Sequence, residues 1–311
     1  MTQSFTSRHF HLEPLTDGVY AAISREGGAA RSNAGIIDLG DRTLIFDTFM
    51  TPAAARDLVA AAKQITGRAP LLAVNSHRHL DHVLGNQALP ADTAIISTHR
   101  THASMIEQIP VAITELRDMI PRTLGELGDQ PPAPEDADHI AVFRTLEPEL
   151  RRLALRAPTI TFEQRLVLHS AARTVEIITF GGGHTESDAI LYLPGDQIAF
   201  IADLLFNEIH PWMGDGDPDE NLRINEKIEA LVPAVEVVVP GHGAVCTPAA
   251  FAPLRRYVAA LHEVIAKAKT SGGTADDAAA VPVPAAFSAW PNPEGFGNNV
   301  KALFDRFGET A

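Results

Sequence analysis

The chain has 311 residues, 45% of them hydrophobic and 21% charged, with a formal net charge of −14, values expected of a soluble globular protein with a substantial core. That acidic balance argues against nucleic acid or another polyanion as partner, because phosphate binding draws on Lys and Arg. A single cysteine, Cys246, excludes an internal disulfide, and without an apolar run of eighteen residues or a signal-like apolar stretch in residues 1–9, a cytoplasmic location with no membrane partner is expected.

Residues 18–23 and 34–39 read as strands, and Gly40-Asp41-Arg42 turns the second into residues 43–47 as a hairpin. Thr51 and Pro52 open a helix that runs to about Thr66. The apolar run 70–74 then predicts a buried strand, and it leads directly into Asn75-Ser76-His77-Arg78-His79-Leu80-Asp81-His82. Side chains two apart on an extended segment point the same way, so His77 and His79 can share one metal ion. Asp81 and His82 fall where the chain turns into a helix and can grip a second ion beside the first. Imidazole and carboxylate together suit zinc, iron or manganese. Residues 94–97 form another predicted strand, and His99 after it is read as structural.

Residues 100–158 interrupt the strand pattern. Met105, Ile106, Ile109, Ile113, Leu116 and Ile120 recur at helical spacing, with breaks expected at Pro110 and Pro121. Residues 130–134 read as a loop. A second helical piece follows, carrying Ile140, Phe143, Leu146, Leu150, Leu153 and Leu155. This helical insertion is expected to serve as a lid, a homodimer contact or a packing layer.

Strands resume at 159–162, 165–168 and 174–178. Gly181-Gly182-Gly183 precede His184, where glycines let backbone come close to a bound group. The strand at 189–193 turns at Gly195-Asp196 into one that is expected to end at Asp203. In the loop that follows, Phe206, Trp212 and Met213 are expected to wall a small-molecule substrate. Pro218 starts a helix to Leu231, and Val237-Val238-Val239 leads to His242. A long helix over 248–269 buries Leu254, Tyr257, Val258, Leu261, Val264 and Ile265. The Pro-rich tail reads as loosely structured before a last helix at 298–307.

His-x-His-x-Asp-His, then His184 after a Gly-rich strand end, Asp203 on a strand and His242 after a Val-rich strand together resemble the metallo-β-lactamase fold superfamily, over about residues 15–250. The resemblance implies an α+β fold: a four-layer αββα sandwich over 1–250 with the helical insertion at 100–158, and a C-terminal helix and tail, 251–311, packed on it. It implies one ion held by His77, His79 and His184 and a second by Asp81, His82 and His242, with Asp203 bridging. The ions would be two divalent metals, zinc first, with iron or manganese as alternatives. A hydroxide between them would attack a carbonyl carbon, and Asp81 would carry the proton to the leaving group. In many true β-lactamases position 203 is a cysteine or serine, whereas aspartate resembles glyoxalase II and the lactonases. The implied activity is hydrolysis of an ester, thioester or lactone, with β-lactams secondary. A persulfide-dioxygenase-like enzyme with one iron is the alternative, and a phosphodiesterase or nuclease is disfavoured by the charge. The resemblance also sets Asp47 beneath the metal site and Asp188 in support of the His184 loop. Cys246 reads as a small buried side chain. Tyr20, Tyr192 and Tyr257 fall on core stretches, which leaves no assigned oxyanion donor or separate general acid.

Overall fold

The computed structural model describes residues 5–133 and 136–307. Two sheets face each other. In the first, β1(Phe10–Thr16), β2(Val19–Ser24), β3(Ala34–Asp38), β4(Thr43–Phe46), β5(Pro70–Val74), β6(Ala94–Thr98) and β7(Ile160–Phe162) lie side by side in chain order. Its first four strands are antiparallel, and from β4 onward neighbours run parallel. The second sheet has the order β12(Val237–His242), β11(Ile198–Phe206), β10(Asp188–Leu193), β9(Thr174–Gly181), β8(Arg165–His169). Every residue of β10 and β11 is buried, as expected of strands covered on both faces.

Between the sheets, Ile37, Leu44, Phe46 and Val74 pack on Val175, Ile177, Leu191 and Phe200. At Gly35 the sheets come so close that an added Cβ would sit 2.6 Å from the Phe200 ring. Helix α1(Pro52–Thr66) covers the outer face of the first sheet through Ala54, Leu58, Ala61 and Ala62. Thr51 caps it as expected, accepting from the Ala54 N–H at 3.1 Å. One-turn α2(Leu80–Val83) follows the histidine-rich stretch. On the outer face of the second sheet lie α5(Pro218–Glu229), α6(Phe251–Thr270), α7(Ala275–Ala279) and α8(Glu294–Leu303). The expected αββα layering is therefore what forms.

The insertion consists of α3(His99–Leu127), α4(Ala137–Leu146) and a 3₁₀ turn at Glu147–Arg152. Neither Pro110 nor Pro121 breaks α3, contrary to expectation. Both prolines are exposed, so the carbonyls they deprive of a partner, on Ile106 and Arg117, face water, while Met105, Ile109, Ile113, Leu116 and Ile120 hold one buried stripe along the whole helix. Ile106 itself is on the exposed side. The stripe packs with Val142, Leu146 and Leu150 on Ala29, Val83 and Leu84. Through α4 the insertion also reaches the loop before β3: the Gly27 N–H donates to Asp138 at 2.6 Å. Ser32 in the same loop donates to the Asp81 carbonyl at 2.5 Å. The insertion thus borders the segment that carries the histidine motif. Pro134, at the end of the proline-rich loop, lies outside the described residues.

Three further expectations are corrected. Strand β11 does not end at Asp203; it continues to Phe206 through a break in the ladder at Ala202, whose φ is 47°, and that kink aims Asp203 across the sheet edge. The tail is not loose, because Phe287 and Trp290 stack around Tyr257 with ring centroids 5.0–5.6 Å apart. The last helix begins four residues early, at Glu294, since Phe296 belongs to its buried face.

Candidate metal centre

All the expected ligand residues converge at one edge of the sandwich. The chain leaving β5 supplies His77 and His79, and α2 adds Asp81 and His82. The β9–β10 turn supplies His184, the β11 kink Asp203, and the end of β12 His242. Two groups form: His77, His79, His184 and Asp203, and Asp81, His82 and His242, with the ligand atoms of each group within 4.8 Å of one another. Asp203 lies between them. Its Oδ2 is 3.2 Å from His184 Nε2, 3.8 Å from His77 Nε2 and 3.4 Å from His242 Nε2. Its Oδ1 is 3.0 Å from His82 Nε2. Backbone approach here is as close as it can be, since a Cβ at Gly241 would fall 1.8 Å from Asp203 Oδ1.

These residues fit a bound cation. His77 Nε2 is buried without a hydrogen-bond partner, and His82 Nε2 and Asp203 Oδ1, though 3.0 Å apart, are not aligned to bond each other, a costly arrangement unless something else satisfies them. Nδ1 of His79 and Nε2 of His184 face each other at 2.9 Å, two nitrogens turned to one point. Five imidazoles and two carboxylates are the donor set for a borderline or hard divalent metal.

Behind the ligands, a buried chain fixes their tautomers. Ser76 Oγ donates to Asp47 Oδ2 at 2.7 Å and is therefore free to accept from His77 Nδ1 at 2.9 Å. The same Asp47 oxygen accepts from His82 Nδ1 at 2.8 Å. Both rings are thereby left with Nε2 toward the cluster. Asp47 adopts φ 58°, a left-handed conformation that is uncommon outside glycine, to place its carboxylate there. Asp188 gathers the N–H groups of Gly183, His184 and Thr185 at 2.7–3.1 Å, which sets the His184 turn. These placements agree with the roles the resemblance gave Asp47 and Asp188. Ser76 and Asp215 were not anticipated. Asp215 Oδ2 lies 2.9 Å from His79 Nε2, and only its presence in a Gly-Asp-Gly-Asp turn hinted at it, a pattern that reads equally as a plain loop.

Of the expected substrate wall, Phe206 stacks on the His242 ring with centroids 4.4 Å apart. Trp212 is 42% exposed and donates its indole N–H to Asp215 at 3.0 Å. Met213 is corrected: it is buried in the core against α5 and α6, pulled inward because its N–H is held by Asn299 at 2.9 Å. His99 is exposed and outside both ligand groups. Cys246 is half-buried, its thiol pushed up to about 12 by burial, and its backbone bridges to Val238.

Burial pulls His77 well below its ordinary value, so it is neutral and ready to ligate. Burial also disfavours charge on His242 and His82, but the Asp203 and Asp81 carboxylates outweigh it. They raise His242 to about 9 and His82 well above its ordinary value. Burial opposes ionisation of Asp203, yet His82, His242 and His184 hold it well below the carboxylate range. In the metal-free protein the His242 proton stabilises the fold fully below 6.5, its unfolded value, and that contribution is lost as pH rises through about 9. Thermal unfolding of metal-free protein should therefore show Tm falling across that window. A metal must displace the same proton, so zinc affinity measured by chelator competition should rise across it.

The profile of the Metallo-beta-lactamase superfamily matches residues 27–242. The chain belongs to this superfamily. Among solved structures, a metallo-beta-lactamase from Pontibacter korlensis superposes with a TM-score of 0.59 at 16% identity, covering 78% of this chain and 96% of that one. The mono-zinc form of the metallo-beta-lactamase FIM-1 from Pseudomonas aeruginosa gives 0.57 at 16% identity, covering 80% and 94%. The inverting sec-alkylsulfatase Pisa1 from Pseudomonas sp. gives 0.71 at 16% identity, covering 97% of this chain but only 51% of its own. At such identities the likeness shows the fold. No curated protein matches in sequence. Among the described residues no helix is long and apolar enough to cross a membrane.

Proposed function

We propose that this superfamily member is a hydrolase of carbonyl esters, thioesters or lactones that uses two divalent ions, zinc in the first place. The observation that carries the reading is the Asp203 carboxylate, which stands within 3.0–3.8 Å of nitrogens from both ligand groups and so can serve two ions at once. His77, His79 and His184 would hold one ion and Asp81, His82 and His242 the other. Bound divalent metals supply Lewis acidity and bring the pKa of water down to near neutrality.

The protein's own part is to aim the ligands and carry protons. Asp47 holds His82 directly and His77 through Ser76, and Asp215 holds His79, each with the correct nitrogen inward. Phe206 covers one face of the His242 ring. Asp81 is the carboxylate for proton transfer: its side chain is 25% exposed where that of Asp203 is 3%, and its Oδ2 is 3.4 Å from His242 Nε2. With Oδ2 on the side of His82 and His242, its other oxygen can take a proton and pass it to a departing alkoxide or thiolate.

A zinc-supplemented panel of lactones, thioesters, aryl esters, β-lactams, alkyl sulfates and phosphodiesters tests the reading. Turnover is expected on carbonyl substrates. Turnover confined to alkyl sulfates or phosphodiesters would overturn it. A single bound iron with oxygen consumption on a persulfide would replace it with the oxidoreductase alternative.

A further inference from the structure

The C-terminal segment lies beyond the residues that the family profile matches, yet it is tied to the metal centre through one loop, residues 211–217. From the C-terminal side, fully buried Asn299 on α8 accepts from the Met213 N–H at 2.9 Å and donates to the Pro211 carbonyl at 2.6 Å. Arg306 donates to the Gly216 carbonyl, also at 2.6 Å. From the other side the loop is pressed onto the His184 turn. Asp217 N–H donates to the Gly183 carbonyl at 2.9 Å, and a Cβ at Gly216 would lie 2.0 Å from that same oxygen. Asp215 sits between these anchors.

His79 has two ring nitrogens, and only one can face the cluster. With Nε2–H given to Asp215 at 2.9 Å, the ring is the Nε2–H tautomer and Nδ1 presents its lone pair toward His184. The Trp212 indole donates to the same Asp215 oxygen, and Arg78 Nη2 stands 3.7 Å away, so the carboxylate is held from three sides. His79 in turn holds Asp215 well below the usual carboxylate range.

We propose that the C-terminal segment is a positioning device for the metal centre: Arg306 and Asn299 hold the 211–217 loop so that Asp215 fixes His79 with Nδ1 toward the ion. This rests on the reading of His79 as a metal ligand. Arg306 and Asn299 touch no ligand residue and act only through the loop.

The test is zinc affinity of the full-length protein, measured by chelator competition on folded variants. Asp215→Asn should weaken the site of His77, His79 and His184 by about 10–100-fold, the usual effect of losing a partner behind a ligating histidine. Arg306 is exposed, so Arg306→Met should fold, and it should weaken the same site by several-fold. Arg306→Lys, which keeps a donor for the Gly216 carbonyl, should recover most of the loss. In the Asp215→Asn background Arg306→Met should add almost nothing, because both act on one element. Wild-type affinity in Arg306→Met, or losses that multiply in the double variant, would overturn the proposal. Wild-type protein that takes up no zinc would instead overturn the metal reading itself.

Discussion

Replacing Asp203 with asparagine is expected to leave one ion in place, release the second and cut hydrolysis at pH 7 by at least about 10²–10³-fold, the scale set by one preorganised electrostatic group. The change keeps the size of the side chain and removes its charge. Asp203 is 4% exposed and remains ionised only because His82, His242 and His184 surround it. Without that charge, two dications would face each other with no protein carboxylate between them in a buried site, where such repulsion is poorly screened. His77, His79 and His184 would still form a three-nitrogen site, so the loss should fall on the ion near His82 and His242. Excess metal should restore part of the rate. Metal analysis beside initial rates gives the answer: full rate with both ions retained would show that Asp203 does not bridge.

The largest effect on stability is expected at Asp47. This carboxylate is fully buried and accepts from the Ser76 N–H, the Ser76 hydroxyl and His82 Nδ1 at 2.7–2.8 Å. Burial pushes its pKa up, against His82 and the Ser76 hydrogen bonds, so the group is costly to hide and costlier to lose. Asp47→Ala leaves three donors unsatisfied in the interior and should cost about 3–5 kcal/mol in denaturant unfolding, as for a broken buried pair. It should also free the His77 and His82 rings to rotate, so zinc affinity should fall with stability. Asp47→Asn, which still accepts, should cost less. Equal stability of wild type and Asp47→Ala would mean that the chain from His77 through Ser76 to His82 does not hold the site.

The metal centre was the most legible part of the sequence because ligand chemistry is local. His77, His79, Asp81 and His82 announce themselves by spacing, and His184, Asp203 and His242 each follow a recognisable strand. What supports them was less visible. Ser76 is one residue from a ligand, but serine before histidine carries no signal of its own. Asp215 lies 136 positions from His79, and nothing along the chain links them. The same limit explains α3, where proline was expected to break a helix that a continuous buried stripe holds together. It explains the tail, whose prolines suggested looseness although Phe287 and Trp290 find Tyr257 across the fold. Met213, an apolar residue on a loop, reads along the chain as a substrate contact, and only its burial in the core beside the Asn299 hydrogen bond reveals that the loop turns it inward.

The two-ion centre is tested most directly by titrating metal-free protein with zinc and counting equivalents at saturation. With two ligand groups joined by Asp203, the proposal predicts two bound ions per chain at pH 7 and above, with release of protons as His242 gives up its own. Saturation at one equivalent, in protein that is folded and fully loaded, would contradict it.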